Sequence, residues 1–436
     1  MKQIKLLIIP FIISHSLFAQ TKLSLNEAIQ LGLKNNKSIQ NSLLKKDIAE
    51  NKVKEVGSQF FPSLKLNAQY NRLSEVDKFI IPLQTPVEFP VILNSYSSRI
   101  YFQQPIFTGF KLSSLSKSSE HIFNATFSEM EKETNEIVLN IIIAYWNLFR
   151  AIENQKLLEE NIVLVKSLVL DSENLLKQGL STANDLLKSK LHLSSVELQA
   201  NNAKNNLILS ELVFKKLISA ENKHDLTLND KPSENVNIDL EIDKIFLEAN
   251  QNRKDFKITN ERILSAETQI TSAKSNWYPN IYLLGGYNYS RPNPRIFPAK
   301  DEAKGTWDIG ISMQFEIWNN FNSNYQIESS ELQHQQLINS KELLRNSIEI
   351  EVASNYLNFN QLKKNLEYAN LSLEQAAENL RSTKAKKISG LVSGSEIINA
   401  EILLQQSKIN KINSVVDLII TEAKLKNSIG RNLVNE

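Results

Sequence analysis

Leu176-Lys177-Gln178-Gly179-Leu180-Ser181-Thr182-Ala183-Asn184-Asp185-Leu186-Leu187 reads as the end of one helix and the start of another. Glycine takes the left-handed conformation that closes a helix, and Thr182 with Asp185 three residues on has the spacing of a capping box. The stretch recurs at Lys387 to Ile398, where Gly390 follows Gly179 by 390 − 179 = 211 residues, with Leu391, Ser393 and Glu396 repeating Leu180, Thr182 and Asp185. The chain is therefore built on two helical hairpins with equivalent tips.

Working outward, an apolar periodicity without breakers reaches back from the first tip to Lys111. It predicts a helix of roughly 68 residues, on the order of 100 Å long. Ile141, Leu148, Ile162, Val169 and Leu176 keep a seven-residue spacing, interrupted by Gln155, and Val352, Phe359, Leu366, Leu373 and Leu380 repeat it. That is coiled-coil spacing, and a second stripe of Tyr145, Phe149 and Ile152 implies neighbours on more than one side. A shorter helix of about 38 residues follows the tip, and one of about 35 residues, Leu23 to Ser58, precedes the strands; end to end the two would cover the long helix.

The period changes at Phe61-Pro62 and again at Tyr278-Pro279, 279 − 62 = 217 residues later, because proline lacks the amide a helix needs. Alternation takes over. Leu64, Leu66, Ala68 and Tyr70 share one face against Lys65, Asn67 and Gln69, and Ile281, Leu283, Gly285, Tyr287 and Tyr289 are their copies. A later run places Trp307, Ile309, Ile311, Met313, Phe315 and Ile317 opposite Asp308, Gly310, Ser312, Gln314 and Glu316. Segments of about ten residues with one apolar face fit transmembrane β-strands, and they also fit a half-buried hairpin of a soluble domain. Beyond them Ile106, Phe110 and Tyr145 pair with Ile317, Phe321 and Tyr356 at an offset of 211, so one copy has a hairpin loop longer by 217 − 211 = 6 residues.

Composition agrees with this plan: 42% hydrophobic and 22% charged residues allow a large core, and only 11 Gly and 11 Pro suit long helices. The absence of cysteine excludes disulfides, thiolate metal sites, a cysteine nucleophile and an N-terminal lipid-anchored cysteine. Lys2, Lys5, the apolar run Leu6 to Ile13 and the region ending at Ala19 read as a secretory signal over residues 1–19. Removing its two lysines takes the net charge from +2 to 2 − 2 = 0, which offers nothing to nucleic acid. The histidines at 15, 121, 192, 224 and 334 are scattered, and no His-Glu-x-x-His, phosphate loop or nucleophile elbow is present, so no enzyme, cofactor or metal is expected.

Four strands per chain cannot close a membrane barrel, for which about eight are needed, so strands of this kind in lipid require further copies. Several segments are similar to the outer-membrane efflux protein (TolC) family: Leu-Ser-Leu-Asn-Glu-Ala-Ile (23–29), Phe-Phe-Pro-Ser-Leu (60–64), Gln-Pro-Ile-Phe-Thr-Gly-Phe (104–110), Ala-Tyr-Trp-Asn-Leu (144–148) and both glycine-leucine tips. The resemblance covers nearly the whole mature chain. It implies a mainly α fold with β, in which duplicated long hairpins form an α-barrel and four transmembrane strands per chain complete a 12-stranded β-barrel in a homotrimer. It further implies an outer-membrane exit duct with a periplasmic tunnel, serving tripartite efflux or type I secretion. Its partners would be outer-membrane lipid, a periplasmic membrane-fusion adaptor and an inner-membrane efflux transporter or ABC exporter.

The expected organisation is a signal (1–19), a first repeat (20–225; strands about 60–71 and 97–107), a linker (226–237) and a second repeat (238–436; strands about 277–290 and 306–318). Gly179, Leu180, Ser181, Gly390, Leu391 and Val392 are candidate adaptor-docking tips. By the resemblance, a periplasmic gate would be lined by acids six and nine residues after the second tip glycine, which here are Glu396 and Asn399, matched in the first copy by Asp185 and Lys188. Only Asp185 and Glu396 of these are acidic, and both also fit plain capping-box carboxylates. A secreted periplasmic coiled-coil scaffold is the alternative, and the strand pairs, which a rod does not need, separate the two readings.

Overall fold

The computed structural model describes residues 21–78, 80–81, 87–88, 90–220, 226–234, 241–318, 320–389 and 391–434. The expected signal and Gly390 lie outside the described residues. In chain order the elements are β1 (Thr21–Leu23), α1 (Leu25–Asn35), α2 (Lys37–Ser58), β2 (Ser63–Arg72), β3 (Ile80–Ile81), β4 (Val87–Glu88), β5 (Asn94–Thr108), α3 (Lys111–Lys177), α4 (Ala183–Leu217) and β6 (Leu226–Leu228). There follow α5 (Ile242–Asn252), α6 (Lys254–Lys274), β7 (Asn280–Arg291), β8 (Lys304–Gln314), α7 (Asn320–Ile388) and α8 (Gly394–Ser428). The chain divides into two compact units: one takes the chain up to Lys37, Thr134–Ile245 and Val352–Glu436, and the other Ser38–Glu133 and Phe246–Glu351.

The first unit is mainly helical; Ile141, Tyr145 and Leu148 of α3 and Phe214 and Ile218 at the end of α4 are fully buried in its core. Tyr145 meets Phe214 edge-on at 5.8 Å and Trp146 at 5.3 Å, a favoured arrangement for aromatic quadrupoles. Past Gln155 the buried seam of α3 moves to Leu158 and Val165, packed on Val196 and Ala200 of α4, while Ile162 is only partly buried. The heptad expected through Ile162 and Val169 is thus corrected by three residues. A straight α-helix of period 3.6 drifts about 20° per heptad, so a seven-residue repeat does not stay on one line.

Two further readings are corrected here. The single helix expected from Leu23 to about Ser58, after an irregular start, is broken at Asn36, which leaves the helical region (φ −65°, ψ 127°). Its side-chain Nδ2 donates to Leu217 O at 3.1 Å, at the C-terminal end of α4, so a tertiary bond holds the break where the apolar pattern runs on. The stretch expected as a linker contains β6, which pairs in parallel with β1 in the register Thr21 to Leu226 and Leu23 to Leu228.

The second unit holds the main sheet, ordered β2-β5-β7-β8 with every neighbour antiparallel. Leu64 stands opposite Phe102, Phe102 opposite Gly285, and Gly285 opposite Ile309, so the alternating apolar residues of β2 and β8 share one face with Phe102, while Tyr101 and Leu284 lie on the other. The other face carries Lys65, Asn67, Arg99 and Asp308, and Arg99 Nη2 reaches across β7 to Asp308 Oδ2 at 2.9 Å. The β2–β5 loop spans residues 73–93 and contains the short β3–β4 pair, whereas the β7–β8 loop spans only 292–303. Among the described residues no helix is long and apolar enough to cross a membrane.

Candidate functional sites: the sheet and the hairpin tips

Among the described residues the apolar face of the sheet has no cover. Trp307, Ile309, Ile311 and Met313 of β8 are between 64% and 76% exposed, and Leu64, Leu66 and Tyr70 of β2 fall in the same range. Among the described strands β2 pairs only with β5 and β8 only with β7, so two edges keep unpaired amides and carbonyls. At the helix end of the sheet, Phe107 of β5 forms an edge-to-face cluster with Phe110 and Tyr278, centroids 5.4 to 6.3 Å apart. Exposed Phe61, Trp277, Trp318 and Phe321 surround that level of the sequence, while Tyr70, Tyr287, Tyr289 and Trp307 lie nearer the loop ends of the strands. An apolar band between two aromatic groups is what a lipid bilayer selects on a β-barrel wall.

At the first tip Gly179 has φ +71° and a Cβ there would stand in open space, so only the backbone conformation demands glycine. Its amide donates to Leu176 O at 3.0 Å and that of Leu180 to Leu175 O at 2.9 Å, the two bonds of a Schellman closure. The second tip repeats the longer bond, Leu391 N to Lys386 O at 3.0 Å, with Gly390 outside the described residues. These closures leave Leu180 72% and Leu391 75% exposed, with Ser181 and Val392 beside them half-buried.

The capping box is complete at the first tip only. Thr182 Oγ1 accepts from Asp185 N at 3.2 Å while Asp185 Oδ2 accepts from Thr182 N at 3.3 Å. At the second, Ser393 Oγ accepts from Glu396 N at 3.4 Å and Glu396 Oε1 meets the Ser393 hydroxyl at 3.4 Å, without the reciprocal bond to the cap amide. The symmetric capping boxes expected from the sequence are corrected to one full and one half. The Thr182 hydroxyl, then its amide, hold the Asp185 carboxyl below the usual carboxylate range.

Asp185 also takes part in a link between the two hairpins. Ser395 Oγ lies 3.4 Å from Asp185 Oδ1 and accepts from Lys188 Nζ at 3.2 Å, joining the first turns of α4 and α8. The structure thus brings Asp185 and Lys188 together through Ser395, and leaves Glu396 and Asn399 exposed on α8. Ser395 was missed by sequence reading, since it lies one residue past a helix start and matches no motif.

The sequence profile described as outer membrane efflux protein matches residues 28–218 and 246–431, well over half of the chain. The chain belongs to the outer membrane efflux protein family. Among the relatives of this efflux protein is toxin and drug export protein A of Aggregatibacter actinomycetemcomitans, 24% identical over 266 residues, or 58% of this chain. The match spans 55% of that relative, little more than half its length. Solved structures share the fold at low identity. CusC superposes with a TM-score of 0.80 at 17% identity, covering 93% of this chain and 92% of that one. The CmeC outer membrane channel of Campylobacter jejuni gives 0.77 at 17%, over 93% and 85%. VceC of Vibrio cholerae gives 0.76 at 16%, over 94% and 96%.

Proposed function

We propose that this efflux-family protein is the outer-membrane exit duct of a tripartite efflux pump or type I secretion system. The observation that carries the reading is the sheet, whose apolar face is bare and whose two edges are unpaired in one chain. In hydrocarbon an open edge leaves polar backbone groups unmet at several kcal/mol each, so the sheet belongs in a closed barrel made with sister copies. Three copies supply 3 × 4 = 12 strands from the four-stranded sheet. Exposed stripes on the helices support assembly in the same way. Leu343, Ile350, Leu357 and Leu371 of α7 keep heptad spacing, as do Leu191 and Leu198 of α4, and all stand in solvent in a lone chain.

In this reading the duct is passive and is not an enzyme. The tips at Gly179 to Ser181 and Gly390 to Val392 dock a periplasmic membrane-fusion adaptor beneath which an inner-membrane efflux transporter or ABC exporter supplies the energy. Asp185, Glu396 and Asn399 stand near the tips, at the inner gate of the tunnel. A soluble scaffold has no use for an apolar sheet face of this size. The test is fractionation with a deletion strain: the protein should sediment with the outer membrane and run as an oligomer that dissociates on heating, and its loss should raise sensitivity to toxic compounds. Recovery as a soluble monomer overturns the reading.

A further inference from the structure

With its apolar face against lipid, the sheet turns its other face to the water inside the barrel. Four strand residues on that face are charged: Lys65 on β2, Arg99 on β5, and Lys304 and Asp308 on β8. They sum to 3 − 1 = +2 per chain. The register sets Lys65 and Asp308 on one level, through Tyr101 and Gly286, with Arg99 on the next and Lys304 on the one nearest the β7–β8 loop.

The three cations are not equivalent. Arg99 Nη2 donates to Asp308 Oδ2 at 2.9 Å and to Oδ1 at 3.2 Å, and its side chain crosses β7 at Gly286, where a Cβ would stand 3.2 Å from Arg99 Nε. That pair is neutral as a unit. Lys65 and Lys304 are exposed and form no ion pair among the described residues, so the net charge of the face resides on them. Two such cations per chain give 3 × 2 = 6 around a ring of three copies. Counting Glu316, two residues past the end of β8, the balance is still +1 per chain. The β2–β5 loop has Glu75, Asp77 and Glu88 against Lys78, but it lies beyond the strand ends, where salt screens charge over about 8 Å.

A water-filled passage walled by fixed positive charge concentrates anions and repels cations, and low-dielectric lipid around the wall strengthens the effect. We propose that the barrel is anion-selective, that Lys65 and Lys304 set the preference, and that the solutes favoured at this exit are anionic. The inference rests on the reading of the sheet as the wall of a barrel made with sister copies, and it names the class of solute that wall admits most readily.

The test reads the charge of the lumen without requiring the tips to open. Ser97→Cys places a single thiol on the same face, on the level of Lys304, in a chain that has no cysteine of its own. Full-length protein carrying it is inserted into phosphatidylcholine vesicles, which bear no net charge, with carbonate-resistant insertion recorded in parallel. Rates of modification by anionic sulfonatoethyl and cationic trimethylammonioethyl methanethiosulfonate are each divided by those of a free thiol. The anionic-to-cationic ratio should stand about sevenfold above one, the effect of a potential of about one kT on opposite unit charges, and should fall toward one in about 1 M salt. Lys65→Gln with Lys304→Gln should bring it close to one, and Lys65→Glu with Lys304→Glu below one. Asp308→Asn, which leaves Arg99 uncompensated, should raise it. A ratio at or below one with both lysines intact, or one that ignores the lysine substitutions, overturns the anion preference and leaves the duct reading standing. A thiol in inserted protein that reacts with neither reagent means that the polar face borders no water and overturns both, as does failure of the chain to insert.

Discussion

Tyr145 shows how one side chain ties separate stretches together. It is fully buried, and burial pushes its phenol up to about 12, so it stays a neutral donor throughout the physiological range. Its hydroxyl lies 3.1 Å from Asp230 Oδ2 and 3.2 Å from Leu23 O, and it accepts from Asp230 N at 3.2 Å. The same carboxylate accepts from Leu25 N at 2.6 Å, at the start of α1. Asp230→Ala leaves the phenol and the Leu25 amide without that acceptor, and we expect it to cost about 1–3 kcal/mol of stability, read from a thermal melt of the helical signal. Tyr145→Phe should cost less than Asp230→Ala, since Leu25 keeps its partner.

His192 gives a pH signature at the same scale. Burial holds its imidazole below the ordinary histidine range, partly offset by Glu401, and its Nε2 has no hydrogen-bond partner among the described residues. A depressed folded value means that the unfolded chain takes up the proton first. The stability penalty is therefore absent above about pH 6.5 and grows as pH falls from there toward the folded value. The melting midpoint should drop on acidification across that window, and His192→Gln should flatten the drop; an unchanged slope counts against buried neutral His192.

At the scale of elements, the helices and strands were legible because their periods are strong and each is written twice. Val352, Phe359, Leu366 and Leu380 are buried at heptad spacing, and the alternation of β8 matches its bare apolar face. The break at Asn36 was not legible, because Leu33 and Ile39 carry the apolar pattern through it and the deciding bond comes from Leu217, 181 residues away. The β1–β6 pair was hidden for the same reason: three residues paired across a long sequence separation leave no local period. At the sites, Gly179, Leu180 and Leu391 could be found from the repeat itself. Ser395 could not, since it acts through a tertiary contact. The tips carry their own prediction. Leu180 and Leu391 make no contribution to the Schellman bonds except through their backbone amides. Leu180→Asp with Leu391→Asp should therefore leave oligomers in the membrane at wild-type amount and abolish export, scored by drug sensitivity; full export would remove the docking role.

For the whole molecule the decisive question is what meets the two open edges. Adjacent strands lie about 4.8 Å apart, so if β8 of one copy pairs with β2 of the next, residues on their polar faces come within reach of a short cross-linker. Asn67 on β2 and Ser312 on β8 are suitable positions, since each lies on the polar side of an edge strand. The chain contains no cysteine, so introduced thiols are unambiguous. With Asn67→Cys and Ser312→Cys in one chain, a short bismaleimide should yield dimer and trimer bands in membranes, while either substitution alone yields no trimer. A trimer with its ring closed by three links runs differently from a linear one, so the banding also separates closure from chain-like aggregation. Membrane-embedded protein that gives no inter-copy product would mean that the edges are covered by something other than sister strands, and the twelve-stranded barrel would have to be abandoned.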